Sequence, residues 1–360
     1  MEDNIRLMKG NEVLAEAAIR CGCDAYFGYP ITPQSEVLET LTEREPWNET
    51  GMVVLQAESE TASINMVYGA AATGKKVMTS SSSPGISLMS EGLSYLAGAE
   101  LPCVITNVVR GGPGLGTIQA SQSDYFQATK APGHGDFHLI VLAPYSVQET
   151  NDFVDLAFEL AFKYRNPALI LTDGVIGQMM EKVTLSPFKP RWTDEYIAET
   201  YGHWALTGKK NRERNIATSL DLSPANQEKF NIHLQEKYRI IEETEVRYVE
   251  SDCEDADYVL VAYGSSARIC SKVVELAREE GIKVGLLRPV TLYPFPEKPL
   301  KELSKRVKGM LAVEMSAGQL VYDVRLATES RIPVHHYGRM GGMVHSPSDV
   351  LNALKENFSL

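Results

Sequence analysis

Cysteine is scarce in this 360-residue chain, and the five present (Cys21, Cys23, Cys103, Cys253 and Cys270) include no C-x-x-C pair. An odd, scattered set supports neither a disulfide framework nor a zinc ribbon, and it cannot by itself hold an iron–sulfur cluster. Cys21 and Cys23 end an apolar helical stretch and read as packing residues rather than metal or redox groups. No apolar run approaches the ~20 residues of a membrane span. The opening MEDNIRLMKGNEV lacks the basic start and apolar core of a secretory signal, so a cytoplasmic location is expected. Basic charge is also short: 35 Lys and Arg against 47 Asp and Glu leave a net charge of −12, which argues against binding a nucleic-acid backbone. The local exception, TGKKNRER at 207–214, reads as a solvated loop. The first strand–helix turn carries no G-x-G-x-x-G, which weakens a dinucleotide site.

What is present is ample apolar material, 44% of residues, enough for roughly two domains of ordinary size. Over residues 1–180, helical stripes such as NEVLAEAAIRCG alternate with short apolar runs: DAYFGYP, GMVVLQAE, KKVMTSSS, PCVITNVVRGG, FHLIVLAP and PALILTDG. Runs this apolar are buried on both faces, as in a parallel sheet, so an α/β, doubly wound domain is expected. Residues 181–250 read as an excursion over the surface, closing with a helix across 231–250. From 251 to 360 strand and helix signals return as a second, smaller α/β domain, with a strand running into a Gly-Ser turn and a helix over 256–270 and further strands expected within 283–296, 309–320 and 332–339.

In a doubly wound sheet, ligands gather at the carboxyl ends of the strands. Four polar clusters fall at such ends: GYPITP (28–33), QAESE (56–60), SSSSPG (80–85) and NVVRGG (107–112). In QAESE a strand runs into Glu58 and Glu60 and then a helix; on that feature alone the carboxylates complement a helix dipole as readily as they do chemistry. Thr32 lies between Pro30 and Pro33, which limit the backbone, and caps the next turn or offers its hydroxyl to a ligand. Arg110 ends a strand before two glycines, where an arginine is either a surface residue or a bidentate carboxylate clamp. His134 and Asp136 in GHGDFH read as a structural loop.

Taken together, YPITPQSE, QAESE…INMVYGAA, SSSSPGISLMSEGLSYLAGAELP and RGGPGLGT…SQSDYFQATKAPGHGD resemble the α subunit of 2-oxoacid:ferredoxin oxidoreductases over nearly the whole chain. LVAYGSSARI and LLRPVTLYPFP resemble that subunit's transketolase-C-terminal-like domain. Within the family the likeness is greatest to the VorB type, linked to 3-methyl-2-oxobutanoate (2-oxoisovalerate), with the 2-oxoglutarate type also similar. The resemblance implies a pyrimidine-type domain for thiamine diphosphate. It assigns to Glu60, with Glu58 as second choice, the carboxyl that meets the aminopyrimidine and promotes loss of the thiazolium proton. It implies that Thr32 and Arg110 meet the 2-oxoacid and that Tyr29 and Pro30 line the cofactor's rim; Ser82, in a run of small hydroxyl residues before a helix start, either takes an anionic group such as a coenzyme A phosphate or belongs to a tight loop chosen for packing. It places no metal on this chain. No G-D-G motif for the diphosphate and Mg²⁺ is present, so a β subunit carrying that site and a [4Fe-4S] cluster is expected. Also expected are γ and ferredoxin-like subunits, with ferredoxin as acceptor. The implied reaction is oxidative decarboxylation of a 2-oxoacid with coenzyme A; a structural subunit without catalytic groups is the competing expectation.

Overall fold

The computed structural model describes residues 4–209 and 212–360; the basic run at 207–214 contains residues 210 and 211, outside the described residues. Fourteen strands are described: β1 (Ile5–Lys9), β2 (Ala25–Gly28), β3 (Val53–Gln56), β4 (Val77–Ser81), β5 (Val104–Val109), β6 (Ile140–Leu142), β7 (Ala168–Asp173), β8 (Met180–Thr184), β9 (Tyr248–Ser251), β10 (Tyr258–Val261), β11 (Val284–Pro289), β12 (Thr291–Tyr293), β13 (Gly309–Glu314) and β14 (Val334–Gly338). They form a seven-stranded sheet in the order β12-β6-β7-β5-β4-β2-β3, a five-stranded sheet in the order β14-β13-β10-β11-β9, and a β1–β8 ribbon.

The central strands β4, β5 and β7 are buried at every position, because helices cover both faces of the sheet. Their pairing is parallel and in register, with Met78 opposite Val104 and Val104 opposite Ala168. The helix Val147–Tyr164 shows how the cover is built. Ser146 caps it, its Oγ accepting from the Glu149 N–H at 3.1 Å, which contributes about 1 kcal/mol. Its buried face carries Phe153, Val154, Ala157, Phe158 and Ala161, and Arg165 in the left-handed region (φ 47°) stops it. Truncating the fully buried Phe158 to Ala costs ~3–5 kcal/mol.

Two expectations need correction. The stretch 283–296 is not one strand of the second sheet. After Pro289 the chain leaves that sheet, and β12 adds antiparallel to β6 at the edge of the first, Thr291 opposite Leu142. Nor is 231–250 one helix. Ser223 caps a helix that opens with a proline and runs from Pro224 to Thr244, and Tyr248–Ser251 then pairs antiparallel with β11. Buried Glu245, bound by Lys163 and Arg247, anchors the chain between helix and strand. Leu234, Tyr238 and Ile241 share the buried helix face as the spacing implies, while Val246 lies beyond the helix.

The excursion also packs more than its composition suggested: Trp192, Tyr201 and Trp204 cluster with Phe162, and the Lys76 ammonium sits 4.5 Å above the Trp192 ring. All five cysteines are buried, and burial pushes the Cys21 thiol up to about 12 and Cys253 to about 11. Among the described residues no helix is long and apolar enough to cross a membrane.

Polar contacts clasp the two halves. Gln122 donates from Nε2 to the Tyr263 carbonyl at 2.8 Å, and its Oε1 accepts from Ser266 Oγ at 2.7 Å and from the Met315 N–H at 3.0 Å. Arg288 in β11 makes a two-pronged bond to Glu149, at 2.9 and 2.7 Å. Asp173 caps a short helix with one carboxylate oxygen and accepts from Ser265 with the other.

Candidate active site

The strands β5, β4, β2 and β3 are consecutive neighbours and all parallel, so the clusters that follow them emerge on one rim. A short relay holds the rim's first loop. Tyr26 and Ser80 hydroxyls meet at 2.6 Å, Ser80 Oγ donates to Gln34 Oε1 at 2.7 Å, and Gln34 Nε2 donates to the Tyr29 carbonyl at 3.1 Å. The loop is thereby tied to β4. Tyr29 and Thr32 are exposed on it, and Pro30 is half-buried. The Thr32 hydroxyl makes no capping bond among the described residues; its carbonyl is what the protein uses, accepting from Arg110 Nη1 at 2.9 Å.

Ser59 caps the helix Glu60–Ala71, its Oγ accepting from the Ala62 N–H at 3.2 Å. That start separates the two glutamates: Glu58 is exposed, whereas Glu60, the first helical residue, is 6% exposed. No hydrogen bond or ion pair reaches the Glu60 carboxylate among the described residues, although burying a carboxylate without partners is costly. It lies over the first turn of the helix Ser83–Gly98. A Cβ on Gly85 would come within 2.6 Å of Glu60 Oε1 and 2.0 Å of Ser81 Oγ, so only glycine leaves room there. The hydroxyls of Ser81 and Ser82 beside it are also buried and unpartnered.

The same helical turn meets Arg110. Ser83 Oγ accepts from the Arg110 N–H at 3.1 Å, and the Ser83 N–H donates to Asn107 Oδ1 at 3.0 Å. Arg110 is 8% exposed. Its Nη2 donates to the Leu115 carbonyl at 3.0 Å, and its Nε is buried with no partner. Arg110 opens onto a cavity of 470 Å³ that continues to Met315, Gln319 and Met340 of the second half. Asp124 stands in the same cavity; burial raises its carboxyl, opposed by bonds such as the one from Asn107 Nδ2 at 2.9 Å. A larger cavity of 800 Å³ is lined by the helix Pro224–Thr244 and residues 292–306 and contains none of the rim residues.

The structure thus gathers Glu60, Ser82, Arg110 and the Thr32 carbonyl around one helix start, and leaves Glu58 and Tyr29 exposed. His134 and Asp136 are exposed on a loop whose His134 carbonyl takes Ser94 Oγ at 2.7 Å. Gln34, Gly85, Asn107 and Asp124 escaped sequence reasoning. Only Gly85 had a local signal, a glycine inside the first turn of a helix.

Comparison with known proteins gives the class first. Residues 16–250 match the thiamine-diphosphate-binding domain of pyruvate flavodoxin/ferredoxin oxidoreductase, and residues 256–350 match core domain II of pyruvate:ferredoxin oxidoreductase. The fold and its rim define a thiamine-type oxidoreductase subunit. The chain belongs to the 2-oxoacid:ferredoxin oxidoreductase family. It is 49% identical to the ketoisovalerate oxidoreductase subunit VorB of Methanothermobacter marburgensis, across 98% of this chain and 97% of that one. It is 35% identical to the 2-oxoglutarate synthase subunit KorA of Methanocaldococcus jannaschii, across 97% of this chain and 99% of that one. Among solved structures it superposes with a TM-score of 0.87 at 28% identity on 2-oxoglutarate:ferredoxin oxidoreductase from Magnetococcus marinus, determined with 2-oxoglutarate, coenzyme A and succinyl-CoA bound. The superposition takes in 98% of this chain and 65% of that one, so this chain spans about two thirds of its length.

Proposed function

We propose that this chain is the α subunit of a thiamine diphosphate-dependent 2-oxoacid:ferredoxin oxidoreductase. The complex oxidatively decarboxylates 3-methyl-2-oxobutanoate with coenzyme A, giving acyl-CoA, CO₂ and reduced ferredoxin. The substrate choice rests on the 49% identity to VorB, against 35% to KorA. The observation that carries the mechanism is Glu60, a residue only 6% exposed whose carboxylate has no partner among the described residues and borders the space that Gly85 leaves open. These residues fit the cofactor: a carboxylate acceptor without a donor, on a largely buried residue, beside a space that a Cβ would fill.

The bound cofactor supplies a carbon nucleophile and an electron sink for decarboxylation. Glu60 holds the pyrimidine side by accepting or sharing a proton at its carboxylate, worth ~10²–10⁴-fold in rate. Arg110 pairs with the carboxylate common to all 2-oxoacids, with its free Nε as a ready donor. The loop of Tyr29, Pro30 and Thr32 closes the cofactor's rim, and Glu58 is its exposed second carboxylate. Ser82, buried at the helix start with a free hydroxyl, is suited to an anionic group. Diphosphate, Mg²⁺ and a [4Fe-4S] cluster are assigned to a β subunit, with γ and ferredoxin-like subunits completing a cytoplasmic complex.

The test is Glu60→Gln in the complex assembled with its partner subunits. Exchange of the cofactor's C2 hydrogen for deuterium should fall at least ~100-fold while assembly and thiamine content survive. Exchange at the wild-type rate would make this chain a non-catalytic scaffold.

A further inference from the structure

The second half of the chain closes onto Arg110 through glycines. A Cβ on Gly111 would lie 2.9 Å from both the Gly341 carbonyl carbon and the Gly342 nitrogen. Gly342 adopts φ +93°, and a Cβ there would lie 2.5 Å from Gln119 Cβ. The backbone of Gly341 and Gly342 is therefore pressed against Gly111 and the side chains of Thr117 and Gln119, in the loop that follows Arg110. This places Met340 at the mouth of the 470 Å³ cavity. Met340 is 60% exposed, so neither core claims its side chain.

The cavity's chemistry is lopsided. Among the described residues that line it, Arg110 is the one cationic side chain and Asp124 the one carboxylate. Pro84, Met315, Ala317 and Met340 supply apolar surface. The carboxylate shared by every 2-oxoacid takes Arg110. Five serines and Gln319 also line it, so the tail, which distinguishes one 2-oxoacid from another, meets apolar side chains, neutral polar groups and Asp124, but no second cation among the described lining residues. A second carboxylate there would be desolvated beside a like charge with no cation to pair it. A branched aliphatic tail would meet a flexible thioether that moulds to it.

We propose that Met340, carried into the site by the second domain, is a specificity-determining residue that contacts the tail of the bound 2-oxoacid and selects an uncharged aliphatic substituent over a carboxylate. The proposal rests on the reading of this chain as a 2-oxoacid oxidoreductase subunit. The experiment compares wild-type, Met340→Arg and Met340→Lys complexes, each assembled with the partner subunits. It measures kcat/KM for 3-methyl-2-oxobutanoate and for 2-oxoglutarate. A cation at this exposed position should lower the ratio of the first to the second by at least ~30-fold in both variants. Met343→Arg is the control; Met343 is similarly exposed, at 54%, but is not among the residues lining the cavity, and its ratio should stay within ~3-fold of wild type. Arg and Lys variants that assemble with wild-type thiamine content and an unchanged ratio overturn the proposal, as does an equal shift in the control. A wild-type complex that oxidises no 2-oxoacid would instead overturn the functional reading beneath it.

Discussion

Replacing Gly85 by Ala tests whether the Glu60 carboxylate must sit where the fold puts it. The new Cβ would stand 2.6 Å from Glu60 Oε1 and 2.0 Å from Ser81 Oγ. The Ser81 hydroxyl has no partner, so it rotates away without losing a hydrogen bond. Glu60 has no such freedom at its buried helix start. To restore an ordinary contact of about 3.5 Å its carboxylate must retreat by roughly 0.9 Å. A displacement near 1 Å in a reacting group costs as much as ~10²-fold in rate, or about 2.7 kcal/mol of barrier. Stability responds differently: overpacking costs ~1–3 kcal/mol, while Gly to Ala within a helix returns up to about 1. The Ala variant should therefore fold and assemble with a modest loss of Tm, yet show ~30–100-fold lower kcat for ferredoxin reduction by the assembled complex. Turnover within ~3-fold of wild type, with Tm also unchanged, would refute the placement of Glu60 at the reacting centre.

Further outcomes follow from the clasp and from buried charge. Gln122→Ala deletes three buried hydrogen bonds joining the two halves and should lower unfolding stability in urea by ~2–4 kcal/mol; a loss under ~1 would show that the apolar contacts alone dock the halves. His345 is buried with both ring nitrogens unpartnered, and desolvation with help from Arg339 holds its pKa down to about 4. Because the unfolded chain binds the proton more readily, this site's stability is complete above about pH 6.5 and is lost as pH falls towards 4, a drop of ~3 kcal/mol at most. His345→Phe should flatten the urea midpoint over that window; an equally steep profile in the variant would exclude His345 as the source.

Much of the rim was legible because parallel strands put their carboxyl ends together whatever the loops do. Continuous apolar runs such as VITNVV and ALILTD identified β5 and β7, and the polar clusters after the strands fall on one rim, as their spacing implied. The resemblance preferred Glu60 to Glu58, but the difference in their burial was not legible. It depends on Ser59 capping the helix, which turns the next residue inward against a helix 23 positions further on, at Ser83. β1 and β8 escaped because each is a five-residue strand of mixed polarity that gains its order only by pairing with the other. β12 escaped because its three residues read continuously with β11, and only the three-dimensional edge of the first sheet claims them. The contact between segments 339–344 and 111–119 is carried by glycines, which leave no hydrophobic pattern to read.

That small strand has a consequence for how the protein can be handled. Thr291–Tyr293 covers the outer margin of the first sheet, and the Ala143 N–H donates to the Val290 carbonyl at 2.8 Å just beside it. A fragment stopped near residue 250 would leave Ile140, Val141 and Leu142 with open backbone groups on an apolar margin, a template for pairing with other chains. The two halves are thus stitched by exchange of strand as well as by side chains. Cutting the gene where the sequence changes character would yield a sticky, self-associating piece rather than an independent cofactor domain.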